Sequence, residues 1–132
     1  MKNITYVIIA LILLFTSCAG NDFSFDEEKQ LLQAGSTYFG KIRIEDIDNY
    51  DAFYIKRKTG SKKVYSINLN DIPESFYVQT SSYDTIRDFK LKRNCKYEIR
   101  NMGVYDATTL KIVIYVDKNG FIKEVNDSTS ER

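Results

Sequence analysis

The stretch Glu45-Asp46-Ile47-Asp48-Asn49-Tyr50-Asp51 puts four carboxylates into seven residues. Calcium takes several oxygen ligands, so this is where a cation site would be sought. No ligand spacing is recognisable in it, and a solvated loop between two strand-like segments is the preferred reading. Asp117-Lys118-Asn119-Gly120 also echoes a calcium loop. Tyr115 stands where the first carboxylate belongs, however, and Asn126 where the chelating Glu belongs. Asn119-Gly120 instead suits the positive φ angles of a tight hairpin turn. The chain contains no His, which removes the Ser/His and Cys/His nucleophile pairs. It has no Gly-rich phosphate loop either. These residues lead us to expect no catalysis, no metal and no cofactor.

Cations gather instead. Lys56, Arg57, Lys58, Lys62 and Lys63 fall on one predicted hairpin and form the candidate contact surface for a partner. A second set comprises Arg87, Lys90, Lys92, Arg93, Lys96 and Arg100. Charge separated in this way orients an encounter with another protein more than it adds raw affinity. The chain also has ten Tyr, a residue enriched with Arg at binding hot spots.

Upstream of these residues, Lys2 precedes twelve uncharged, almost wholly apolar residues, Ile4 to Phe15, followed by the small residues Thr16 to Gly20. A positive start, a short apolar run and small residues at the cut describe a secretory signal. The run is shorter than the about 20 residues a membrane-spanning helix requires. Phe15-Thr16-Ser17-Cys18 resembles the lipobox of bacterial lipoproteins, with Phe15 where Leu is commoner. The resemblance implies a diacylglyceryl group on the Cys18 thiol, cleavage before Cys18, often an acyl group on its amine, and an anchor in the cell envelope at the outer membrane. Two or more acyl chains hold a protein stably where one is marginal. Asp22, Asp26, Glu27 and Glu28 resemble, late and interrupted, the acidic export signal of Bacteroidota lipoproteins. Asp84-Thr85-Ile86 and Asp127-Ser128-Thr129 resemble the O-glycosylation sequon of that phylum, and are otherwise two turns.

Removing residues 1–17 removes Lys2, leaving 18 basic and 18 acidic residues. A formally neutral chain argues against nucleic acid as the partner. With Cys18 lipidated, Cys95 has no partner within the chain and reads as a small buried apolar residue.

The remainder alternates with a period of two. Tyr38–Glu45, Ala52–Arg57, Lys63–Asn70, Ser75–Thr80, Thr85–Leu91, Lys96–Asn101, Leu110–Val116 and Phe121–Val125 read as strands. Eight short strands without a confident long helix indicate an all-β antiparallel sandwich or small barrel. Leu91-Lys92-Arg93-Asn94-Cys95-Lys96-Tyr97 then resembles the tyrosine corner of immunoglobulin and fibronectin type III domains, without their core Trp. That resemblance implies a β-sandwich of about seven or eight strands in which the Tyr97 hydroxyl bonds back to the chain near Leu91. The expected organisation is a signal peptide over 1–17, a lipidated tether and approach segment over 18–35 with a helical turn at Asp26–Leu32, and the sandwich over 36–132. The expected function is a non-catalytic protein-binding lipoprotein, such as a toxin-immunity protein or an accessory subunit of an envelope complex. The alternative is a surface lipoprotein that captures glycans on Tyr.

Replacing Cys18 by Ala should release the protein from the membrane fraction. Retention there with the same processed N-terminus would refute the lipid anchor.

Overall fold

Branched and aromatic residues at every second position favour an extended backbone with one dry face. The computed structural model describes residues 3, 4, 6, 7, 21–103 and 110–125. Among them ten strands form two antiparallel sheets. The smaller sheet holds β1 (Phe23–Asp26), β2 (Leu31–Ala34) and β5 (Ser66–Ile67), in the order β1-β2-β5. The larger holds β3 (Lys41–Asp46), β4 (Ala52–Arg57), β6 (Phe76–Thr80), β7 (Thr85–Ile86), β8 (Cys95–Asn101), β9 (Lys111–Val116) and β10 (Ile122–Val125). Its order is β10-β9-β8-β3-β4-β6-β7. One apolar core lies between the sheets. The large sheet gives it Ile42, Ile44, Ile55, Val78, Tyr97, Ile99, Ile114, Val116 and Ile122, and the small-sheet side gives Phe25, Leu32, Ile67 and Leu69. Burying each such aliphatic chain contributes about 1.5–3 kcal/mol.

The chain is thus an all-β sandwich. Its neighbour orders β1-β2-β5 and β9-β8-β3-β4 resemble the A-B-E and G-F-C-C′ arrangement of immunoglobulin-like domains. β6 and β7 widen the large sheet beyond β4, and β10 widens it beyond β9. Strands beyond the expected eight come from the supposed approach segment. Phe23, Phe25, Leu32 and Ala34 point inward in turn, so residues 23–34 form a hairpin with Phe25 opposite Leu32 rather than a helical turn. Residues 23–34, expected as part of the approach segment, thus belong to the start of the sandwich. The buried Asn101 secures this start, its Nδ2 donating to Asn21 O at 3.4 Å.

The segment expected as a strand over Lys63–Asn70 shrinks to β5, because the slot beside β4 belongs to β6: Lys56 opposes Tyr77 and Arg57 opposes Phe76. There is accordingly no basic hairpin. After Lys58 the chain turns at Gly60 (φ 79°) and crosses to the small sheet, where Ala34 N donates to Tyr65 O at 2.7 Å. The strand expected over Thr85–Leu91 stops at Ile86, and Asp88 is left-handed with φ 54°. In the β9–β10 turn only Gly120 is left-handed (φ 84°), and Gly120 N donates to Asp117 O at 3.1 Å. This is a type I turn closed by a left-handed glycine, not a turn with two positive φ angles.

Side chains complete the backbone bonding at the sheet edges and corners. Gln30, in the β1–β2 turn, accepts from Ile122 N (2.8 Å) and donates to Ile122 O (2.9 Å). Its amide stands in for a strand residue on the free edge of β10. Glu27 Oε1 accepts from Glu124 N at 2.7 Å one pleat further on. At the other corner Tyr97, 2% exposed, accepts from Lys92 N at 2.8 Å, and Leu91 is buried beside it. Burial raises the Tyr97 pKa.

Tyr97→Phe removes only the acceptor and leaves the Lys92 amide unsatisfied. The urea midpoint should drop by the equivalent of about 1–3 kcal/mol with the slope unchanged.

Candidate functional site

Because inner positions are apolar, the intervening residues of the large sheet all face outward. Register brings them into rows. Lys41 opposes Lys56, which opposes Tyr77. One pleat along, Lys111, Arg100, Arg43, Tyr54 and Gln79 lie across β9, β8, β3, β4 and β6. The next row carries Val113, Glu98, Glu45 and Ala52. Beyond it Lys96 opposes Tyr115, which opposes Lys123. Among the described residues, the paired strand positions of the outward face thus hold seven cations against two carboxylates, in a chain with a formal net charge of +1.

Two of these cations are held flat by their own strand: Arg43 pairs with Glu45 and Arg100 with Glu98, each at 2.6 Å. Half-exposed pairs of this kind contribute at most about 1 kcal/mol, so their main effect is orientation. The lysines centre on tyrosine rings. Lys41 Nζ lies 5.0 Å and Lys56 Nζ 5.9 Å from the Tyr54 centroid, and Lys56 is 5.5 Å from that of Tyr83. Lys56 also donates to Gln79 Oε1 at 2.9 Å. Lys41, Tyr54, Lys56, Ser81 and Tyr83 line a shallow depression of about 100 Å³. Tyr83 is 77% exposed and left-handed, with φ 67°. Cations over exposed rings gain about 0.5–1 kcal/mol each and leave their remaining donors toward solvent.

The five cations expected to share one hairpin are divided. Lys56 alone belongs to this face. Arg57 and Lys63 flank the Tyr38 ring at 5.1 and 5.0 Å. Arg57 Nε donates to Lys62 O at 3.1 Å, and Lys58 and Lys62 are exposed on the crossing segment. Of the second set, only Lys96 and Arg100 join the sheet face. Lys41, Arg43 and Lys111 were missed because they do not form a run of cations in the sequence, and only register assembles them. No family model, curated protein or solved structure matches this chain.

The acidic stretch is a turn braced from within. Asp46, 2% exposed, ends β3. Its Oδ1 accepts from Asp48 N (3.1 Å) and Asn49 N (3.3 Å), and its Oδ2 from Asn49 Nδ2 (2.9 Å). Tyr50 is left-handed at φ 59°, and Asp46 N donates to Asp51 O at 2.8 Å. Among the described residues no group of His, Cys, Asp or Glu is arranged to hold a metal. Cys95 is half-buried, with Sγ 3.4 Å from Arg93 O. Thr85 of the first glycosylation sequon is exposed on β7. Cys18 and the sequon at Asp127-Ser128 lie outside the described residues.

The Asn49 amide, ahead of the opposing effect of burial, lowers the Asp46 pKa, and the Ser36 amide and hydroxyl lower that of Asp22. A carboxyl with a depressed folded-state pKa stabilises the fold above its unfolded value of about 4 and loses that contribution as pH falls through the folded value. The urea midpoint should therefore fall on acidification below about pH 4. Asp46→Asn should lower the midpoint at neutral pH and flatten the acid-side slope. An unchanged slope would assign the acid sensitivity to other groups.

Proposed function

We propose that this chain is a non-catalytic lipoprotein of the cell envelope that binds an acidic protein partner through the outward face of its large sheet. One observation carries the reading: among the described residues, seven cations and two carboxylates share the paired strand positions of that face, while the mature chain is formally neutral. A surface of this kind steers an oppositely charged partner and rejects a like-charged one. Tyr54 and Tyr77 lie among the cations and supply rigid contact area of the type enriched at hot spots.

A lipid on Cys18 would anchor this surface at the membrane. The first strand begins at Phe23, five Cα-to-Cα steps beyond Cys18. Fully extended, they reach about 18 Å. The domain would ride close to the bilayer, and its partner would be membrane-bound or able to approach a membrane. No helix among the described residues is long and apolar enough to cross one.

The test is kinetic, on the partner isolated with the native lipoprotein. Reversing Lys41, Lys56 and Arg100 to Glu should slow association, more at low salt than at high, with dissociation changing less. An association rate indifferent to both the substitutions and the salt would refute this surface. Steady turnover of a small substrate would refute the non-catalytic assignment.

A further inference from the structure

A second concave feature lies at one end of the sandwich, away from the pleated face. It is a cleft of about 320 Å³ lined by Asn70, Lys90, Leu91, Arg93, Asn119 and Gly120. That volume is at the lower end of the about 300–1,000 Å³ typical of small-molecule sites. Its lining contains two cations and two side-chain amides and no carboxylate. Buried Leu91 contributes the apolar part.

All three contributing loops are braced. The Tyr97 hydroxyl holds Lys92 N at 2.8 Å, which fixes the corner between Lys90 and Arg93. Asp117 Oδ1 accepts from Asn119 N (2.8 Å) and Phe121 N (2.9 Å), which fixes the turn bearing Asn119 and Gly120. Asn68 Oδ1 accepts from Asn70 N at 2.9 Å. The cations then join the loops: Lys90 Nζ donates to Asn70 O at 2.8 Å and Arg93 Nη1 to Lys118 O at 3.3 Å. An ammonium has three donors and a guanidinium five, so each cation is positioned by one bond and keeps donors for a ligand. Gly120 lines the cleft in a left-handed conformation (φ 84°) that suits glycine. Donors held in place before binding reduce the ordering cost of binding.

We propose that this cleft binds an oxyanion, phosphate or carboxylate, carried on a small hydroxylated molecule. Arg93 and Lys90 take the anion, and the Asn70 and Asn119 amides, which both donate and accept, take hydroxyl groups. The site is independent of the protein-binding face.

The full chain in detergent micelles, labelled with 15N, is titrated with glucose 6-phosphate, glucuronate, inorganic phosphate and glucose. At least one of the two anionic sugars should move the Arg93, Asn119 and Gly120 amides and bind more tightly than inorganic phosphate, and glucose should leave those amides in place. Which anionic sugar binds better identifies the anion. Arg93→Gln and Lys90→Met should each weaken binding by about tenfold to a hundredfold, with the unfolding midpoint retained. The proposal is overturned if neither anionic sugar moves these amides, if glucose binds equally, or if both variants bind as the parent does. Inorganic phosphate binding as tightly as the sugar phosphate would overturn the hydroxylated part of the ligand. The Lys41, Lys56 and Arg100 reversals should leave these titrations unchanged, and a comparable loss in them would overturn the placement at this cleft.

Discussion

The pairing of β3 with β8 at the centre of the large sheet sets the position of almost everything else. Ile44 faces Ile99 across it, and Ile42 faces Asn101. A slip of β3 by one residue would turn Ile42 and Ile44 to solvent and Lys41 and Arg43 into the core, since successive side chains point to opposite faces. The apolar core therefore fixes the register, and the register fixes the charged rows. Arg43 lies opposite Arg100 only because Ile44 must lie opposite Ile99. Like charges directly opposed are unfavourable. Here each Arg is relieved by a Glu two residues away on its own strand, and the two Glu residues oppose one another in the next row.

A second constraint acts where strands end. Turns leave amides without ladder partners, and short side chains supply acceptors for them. Asp46 and Asp117 fold back onto amides of their own turns, and Asp22 reaches Ser36 across the start of the domain. Gln30 and Glu27 cover the exposed edge of β10, a protection that free sheet edges need against pairing with other chains. The Tyr97 hydroxyl ties the crossing loop to the core. Several of these bonds link residues far apart in sequence: Gln30 and Ile122 are separated by 92 positions.

That separation explains what could be read from the chain. Ala52–Arg57 was legible as a strand because its ends coincide with a polar turn on one side and a Gly turn on the other. The spacing of Leu91 and Tyr97 pointed to a hydroxyl bonding back to the corner, since corner geometry is local. The hairpin at Phe23–Ala34 was not legible, because its apolar pairs are few and a run of Asp and Glu between them suits a helix start equally well. The pairing partner of β4 was also hidden. Sequence proximity favoured Lys63–Asn70, whereas β6 provides Phe76 and Val78 at the inward positions that match Arg57 and Ile55. The charged face followed the same rule, because alternation shows which residues point out but not which strands stand side by side.

The charge separation has two causes of unequal standing. Carboxylates collect at turns because a turn amide is best satisfied by an Asp acceptor, which places Asp46 and Asp117 by local chemistry alone. Nothing comparable requires lysine and arginine on the pleated face. Lys is depleted in strands, and neutral Thr or Gln would present the same polar surface. Edge protection accounts for Lys123, which sits on β10 at the rim of the sheet. It does not account for Lys41, Arg43, Lys56, Lys96, Arg100 or Lys111, which lie on the interior strands β3, β4, β8 and β9. Six cations, four of them lysines that run against strand preference, gathered on one face with little compensating charge, are where a sequence departs from what its fold asks for. Such departures are expected at sites kept for binding rather than for stability.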